Sequence, residues 1–222
     1  MPPGEPFIRP DWVVNNLDLI WQRLVEHVEM TLTAVVAGFV ISFAAALIIR
    51  RRRRATAAVI GVTGILYAIP SLALFAFLIP VTGLSFLTAE IALTSYTLLI
   101  LIRNVLLGLE AVPPDVVEAA VGMGYTPRQL LWRVELPIAV PLIVAGLRIA
   151  AVTTVGLVTV TALIGQGGLG YLIVVTGING FFPTAIWVGS LLSVALAVVA
   201  DIGLTWIQGR LTPWAQSRRS AA

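Results

Sequence analysis

Apolar residues fall in five long blocks, 30–49, 57–80, 87–107, 138–164 and 184–207, separated by shorter polar or glycine-rich breaks. Each block supplies the roughly 20 residues an α-helix needs to cross a bilayer. The pattern therefore predicts an all-α fold with five membrane-spanning helices. The last two blocks are long enough to tilt or to extend beyond the lipid. Pro70 interrupts the second block and is expected to kink it, with Ser71 placed to satisfy freed backbone groups. Ahead of the first block, Trp12, Leu17, Ile20, Trp21, Leu24 and Val28 recur at helical spacing within a polar stretch. That spacing predicts an amphipathic helix lying along the membrane surface. The segment lacks the basic start and short apolar core of a signal peptide. The expected organisation is an interfacial segment at 1–29, a membrane domain at 30–209 and a tail at 210–222.

Charge placement orients the spans. Arg50, Arg51, Arg52, Arg53 and Arg54 follow the first block directly, and a basic run of this kind holds its end of a span in the cytoplasm. The N-terminus is then expected outside. Alternating crossings put the 108–137 loop and the C-terminus inside, where Arg128, Arg133, Arg210, Arg218 and Arg219 lie. The outer loops, 81–86 and 165–183, contain no arginine. The expected topology is N-out and C-in.

Composition agrees with membrane residence and removes most enzyme chemistry. Hydrophobic residues make up 59% of the 222-residue chain and charged residues 11%, against about 25% charged in soluble domains; mean hydropathy is +0.99. Cysteine is absent, which excludes disulfides, thiolate metal sites and thiol nucleophiles. All 14 basic residues are arginine, so the usual P-loop lysine for ATP is missing. His27 is the only histidine. No metal site and no cofactor bound by this chain are expected. Gly165-Gln166-Gly167-Gly168-Leu169-Gly170 looks like a phosphate loop but falls on the outer side without lysine. It is read instead as leading into a short outer helix, 171–175, at the mouth where a binding protein would dock.

The informative stretch is the inner loop between the third and fourth spans, 112–137. Asp115 is expected to N-cap a first short helix with Glu118 as its box partner, and Gly124 to end it in left-handed conformation. Thr126 is expected to cap a second helix, with Pro127 at its first position and Gln129 completing the box. Pro137 is expected to close the unit and begin the next span. Val116, Val117, Ala120 and Val121 form an apolar side on the first helix, and Leu130, Leu131 and Val134 on the second. Such a projecting helix pair reads as a docking element. A nucleic-acid-binding helix-turn-helix is rejected, because both ends are tethered to spans, and no nucleic-acid partner is expected.

Glu118-Ala119-Ala120, three residues, Gly124, nine residues and Val134-Glu135-Leu136-Pro137 resemble the EAA loop of binding-protein-dependent ABC importer permeases. The one departure is Val134 where that family has Ile. Tyr67-Ala68-Ile69-Pro70-Ser71-Leu72-Ala73-Leu74, Ile79-Pro80-Val81-Thr82-Gly83, Arg103-Asn104 and Ile164–Gly170 are similar to the quaternary-amine (osmoprotectant) permeases. The glycine-rich stretch is shared with methionine-type permeases. The resemblance covers about residues 30–209.

The resemblance implies a non-catalytic permease subunit in a bacterial inner membrane, importing glycine betaine, carnitine, choline or proline-type compatible solutes. Implied partners are a cytoplasmic ATPase that uses the ATP, a second permease copy or relative, an extracellular or periplasmic solute-binding protein and the lipid membrane. Glu118, Ala119, Ala120, Gly124, Leu136 and Pro137 would couple to the ATPase. Because quaternary amines are held by aromatic faces, Tyr67, Phe75, Phe77 and Tyr96 are candidates for the translocation path. Asp201 is expected to pair within the membrane with Arg148, or else Arg103, as a structural clamp. Glu90 is read as a solvated charge at the outer rim, or as an attractor for a cationic solute. Alternatives are a methionine or other amino-acid importer permease and, more distantly, an autonomous channel or a membrane enzyme.

Overall fold

A computed structural model describes residues 8–212 of the chain; Arg218 and Arg219 lie outside the described residues. Among those described there are helices and no strand. In chain order they are α1 (Pro10–Asn15), α2 (Leu17–Ile49), α3 (Arg53–Ala68), α4 (Ser71–Thr82), α5 (Phe86–Glu110), α6 (Pro114–Gly122), α7 (Pro127–Leu130), α8 (Leu136–Val160), α9 (Leu169–Tyr171) and α10 (Pro183–Leu211). A π-helical stretch, Leu131–Glu135, joins α7 to α8, and another, Leu172–Ile178, extends α9.

Four runs are long and apolar enough to cross a membrane: Leu17–Ile49, Phe86–Glu110, Pro127–Ile164 and Pro183–Leu211. The second predicted span is two helices, α3 and α4, set at 97° to one another. Ile69, forced toward extended geometry by the proline after it, has φ −65° and ψ 128°. The carbonyl freed by this break is taken by the Tyr96 hydroxyl, which donates to Ile69 O. Ser71 was expected to help here, but it begins α4 instead.

Two core clusters show how the helices run. At one end Ala46 and Ile49 of α2, Val105 and Leu109 of α5, and Leu136 and Ala139 of α8 pack together, with Ala55 and Val59 of α3 against them. At the other end Met30 and Ala34 of α2 meet Leu74 and Phe75 of α4, Ala89 and Leu93 of α5, and Val158 of α8. The α3–α4 pair thus passes from one end to the other, as a broken span does. The chain alternates direction through α2, α3–α4, α5, α8 and α10. Arg50 to Arg54, the α6–α7 loop and Arg210 gather at one end, and the glycine-rich loop lies at the other.

α5 is the centre of the bundle, with 56% of its most apolar stretch buried, and α10 is the periphery, with 17%. Close approach of α5 and α8 rests on Gly146, where a Cβ would stand 2.4 Å from the Asn104 Cβ, as small residues permit in membrane helix pairs.

One expectation is corrected here. Residues 17–28 do not form a separate surface helix, because α2 is continuous for 33 residues, about 50 Å at 1.5 Å per residue. No proline or glycine breaks it near Glu29, and only the six residues of α1 stand apart.

Candidate functional site

The α6–α7 unit is built by local chemistry. Pro113 takes the N-cap position of α6, and Asp115 sits inside the first turn rather than capping it as expected. Proline at the first helical position sets that start two residues earlier, and Asp115 instead lies in the first turn, at the positive end of the helix dipole. At the other end Gly124 has φ +83°. Its N–H donates to Val121 O at 2.9 Å and the Tyr125 N–H to Ala120 O at 3.1 Å, the paired bonds of a Schellman turn. Thr126 then caps α7 with Gln129 in a reciprocal box, the Thr126 N–H donating to Gln129 Oε1 at 2.8 Å.

Pro137 does not close this unit. Helix continues from α7 into α8 through the π stretch, where the Leu136 N–H reaches back five residues to Leu131 O. The wider turn accommodates a proline ring that an ordinary helical turn would crowd. α7 is therefore a rigid extension of a membrane span. Of the motif residues, Ala120 and Leu136 are buried and anchor the unit, whereas Glu118, Ala119 and Gly124 are exposed. Val121, Met123 and Trp132 are also exposed, at 56%, 70% and 57%.

A contact that sequence reasoning missed ties this unit to α2. Arg50 Nη1 donates to Glu135 Oε2 at 2.5 Å, with both side chains mostly buried. Arg51 to Arg54 are exposed, so Arg50 alone of the basic run turns inward. Topology alone accounts for the basic run in the sequence, so this second role of Arg50 shows only in the fold.

The four path aromatics are not gathered on one surface. Tyr67 and Tyr96 meet edge to face at 5.9 Å, and Tyr96 is bound to Ile69 O. Phe75 is 1% exposed and belongs to the core, because the bend turns that face of α4 onto α2 and α5. Phe77, at 70% exposure, points away from it. Only Tyr67 and Phe77 remain on a face of the chain.

Asp201 of α10 and Arg148 of α8 meet in a two-pronged contact, Nε to Oδ1 at 2.8 Å and Nη2 to Oδ2 at 2.9 Å. Arg103 is exposed on α5 and is not part of the pair. The pair lies in a groove of about 640 Å³ walled by Ala145, Ile149, Val152, Ala197 and Val198. Removing one partner strands the other among these apolar walls. Asp201→Leu is expected to lower the folded, detergent-extractable yield several-fold, and adding Arg148→Met to restore most of it. Size-exclusion chromatography of the two variants decides this; equal yields in wild type and Asp201→Leu would refute the clamp.

The opposite end carries a second missed constellation. Glu26 Oε2 accepts the Gly168 N–H at 3.0 Å and Arg23 Nη1 at 2.8 Å. His27 is fully buried: its Nδ1 accepts the Leu169 N–H at 3.2 Å and its Nε2 meets Val155 O at 3.0 Å, which puts the ring proton on Nε2. The start of α9 is thus latched to α2. The helix expected at 171–175 is present, as α9 and its π extension. Glu90, expected as a solvated rim charge, is only 8% exposed, and neither carboxylate oxygen has a hydrogen-bond partner among the described residues. α2 covers the face of α5 on which it lies. Among the described residues no cluster of three acidic or histidine side chains is arranged to hold a metal ion.

Comparison with known proteins follows the same architecture. Residues 34–213 match the family described as binding-protein-dependent transport system inner membrane component. A carnitine transport permease of Listeria monocytogenes is 37% identical over 199 residues, 90% of this chain and 89% of the relative. A choline transport system permease of Bacillus subtilis is 34% identical, over 92% of this chain and 93% of its own. Among solved structures, a chain of the MetNI methionine ABC transporter in an inward-facing conformation superposes with a TM-score of 0.79 at 25% identity, covering 89% of this chain and 98% of that one.

Proposed function

Because this chain belongs to the family of binding-protein-dependent transport system inner membrane components, we propose that it is the permease subunit of an ATP-driven importer for osmoprotectants carrying a trimethylammonium group. Likeness over nine-tenths of the chain to carnitine and choline permeases carries the reading. Those two solutes share that group, as does glycine betaine. The arginine-rich end faces the cytoplasm by the positive-inside rule, and the 1–29 segment and the α9 loop face outward. A cytoplasmic ATPase docks on α6 and α7 through Glu118, Ala119, Gly124 and the exposed Val121, Met123 and Trp132. The chain performs no covalent chemistry and binds no cofactor; ATP acts on the partner.

A second permease copy or relative covers the outward faces of the bundle and encloses the path. Tyr67 and Phe77 are the aromatics still available to line it. An extracellular binding protein delivers solute to the α9 mouth. Movement of the ATPase subunits is passed to α8 as one body, since α7 is continuous with it, and biases the spans between two facings. The likeness to a methionine transporter chain at 25% identity supports a second reading, an amino-acid importer of the same architecture.

The test is uptake into proteoliposomes containing this chain, its ATPase and its binding protein. ATP-dependent uptake of labelled choline, carnitine or glycine betaine that excess methionine does not reduce is the expected result. Uptake of methionine instead would keep the architecture and overturn the solute. Flux without the ATPase would overturn the whole assignment.

A further inference from the structure

Non-helical backbone at membrane depth is tolerated only where protein buries it or water reaches it. The break between α3 and α4 sits at such a depth, because the Tyr96 hydroxyl that donates to Ile69 O comes from near the middle of α5. This chain does not bury it: Tyr67, Ala68 and Pro70 are all exposed. Tyr67 is 39% exposed and stands edge to face with Tyr96 at 5.9 Å. The bent pair thus presents an aromatic ring beside an open stretch of backbone.

Arg103 lies on the same side of α5. It follows Tyr96 by seven residues, which returns a helix to nearly the same face. It is exposed, although α5 is the central helix of the bundle. Arg23, Arg50 and Arg148 are held by Glu26, Glu135 and Asp201. Arg103 has no acidic partner among the described residues. Its backbone is about 10 Å short of the inner end of α5 at Glu110. α5 runs from the outer end to the arginine-rich end, and a helical side chain leaves its backbone tilted toward the helix N-terminus. The Arg103 side chain therefore sets out toward the break, away from the cytoplasmic headgroups. A charge placed so faces water or a partner, not lipid. The exposed break and the unpaired cation border one aqueous space, which the second permease chain closes.

We propose that Tyr67 and Arg103 form a two-point contact in the translocation path, the ring for a trimethylammonium head and the guanidinium for a carboxylate. An aromatic face suits a cation that donates no hydrogen bonds, and a guanidinium fork suits a carboxylate. Tyr96 and Arg103 are about 10 Å apart along α5. The tilt of the arginine takes up about one turn of that, roughly 5 Å, and leaves the length of a short zwitterion. The site rests on the osmoprotectant reading above and narrows it. Glycine betaine and carnitine carry both groups, whereas choline lacks the carboxylate.

The chain has no cysteine of its own, so Ala68→Cys places a single reporter thiol at the break. In the reconstituted transporter, sulfonate-bearing and trimethylammonium-bearing methanethiosulfonates are supplied on both sides of the vesicle. Both are expected to react, and glycine betaine should slow them more than choline at equal concentration. A thiol that reacts with neither, or equal slowing by the two solutes, overturns the site. Uptake is the second arm, measured with the binding protein saturated by each solute so that capture is not what is compared. Arg103→Gln should cut the betaine-to-choline ratio of maximal rates about tenfold, the effect of one hydrogen bond to a charged group. Arg103→Lys should keep most of that ratio, and Tyr67→Leu should slow both solutes alike. Size-exclusion chromatography first shows whether each variant stays assembled. Loss of assembly in Arg103→Gln assigns the arginine to a carboxylate of the second chain and overturns the site. An equal fall for both solutes in that variant, or a Tyr67→Leu transporter as fast as wild type, does the same. Wild-type uptake of both solutes without the Arg103 effect sinks this site alone, and uptake of neither sinks the osmoprotectant reading.

Discussion

A Gly124→Val permease is expected to reach the membrane, assemble, and lose ATP-driven uptake by about tenfold. The reason is backbone rather than crowding. A Cβ built on Gly124 meets nothing within 4 Å, but the residue holds φ +83°, where an L side chain costs roughly 1–2 kcal/mol and a β-branched one is a true outlier. The strain can be relieved only by giving up the Gly124 and Tyr125 hydrogen bonds to Val121 and Ala120. Those bonds set the angle between α6 and the α7–α8 rod. A change of 1.4 kcal/mol is tenfold in an equilibrium, so strain of this size suffices to unseat α6 from its docking geometry. A graded series reads the cause. Gly124→Asn should retain most uptake, because Asn tolerates the left-handed region, with Ala intermediate and Val lowest. Gly122 supplies the control: it also has open space around it but lies within α6, so Gly122→Ala should leave uptake intact or improve it, given glycine's poor helix propensity. Uptake measured beside ATPase activity decides the matter. Equal uptake across the Gly124 series would show that the turn does not carry coupling.

What was legible in the sequence is what is local. Apolar blocks of spanning length, a glycine at a left-handed turn and a Thr-Pro-Arg-Gln box each depend on residues within one or two turns, and the structure forms them where the pattern put them. Asp201 and Arg148 also meet, because a charge inside an apolar helix leaves few partners at its depth. The contacts that were not legible join distant segments. Glu26 and His27 looked like polar positions on a surface helix. They are instead acceptors for the N–H groups of Gly168 and Leu169, 142 residues away, and this use keeps α2 in the bundle as one helix. Pro70 announced a break, but neither its 97° angle nor the bond donated by the Tyr96 hydroxyl to Ile69 O could be read from neighbouring residues. Glu90 looked like a rim charge because it lies near a helix start. Only the packing of α2 over α5 shows that its carboxylate is enclosed.

Charge reversal at either end of the Arg50–Glu135 contact is expected to damage the transporter, and reversal at both ends to repair it. The two side chains are 15% and 13% exposed, so removing one partner leaves a largely buried charge, at a cost of about 3 kcal/mol. Arg50→Glu is unusually clean as a test of this contact. Arg51, Arg52, Arg53 and Arg54 remain exposed at the same end, so the signal that orients α2 survives and a topology defect does not confound the result. Glu135 sits in the π stretch between α7 and α8, directly before Leu136 and Pro137. The pair therefore braces the point where the docking element becomes a span against the end of the first span. Arg50→Glu and Glu135→Arg alone should each lower the thermal midpoint of the purified permease–ATPase complex by several degrees. Each should also reduce solute moved per ATP hydrolysed, with hydrolysis falling less than uptake. The double variant should recover both quantities, since the same two charges face each other with ends exchanged. A midpoint shift without a change in solute per ATP would confine the pair to stability. A double variant no better than the worse single would show that the two side chains act separately, and the brace would be refuted.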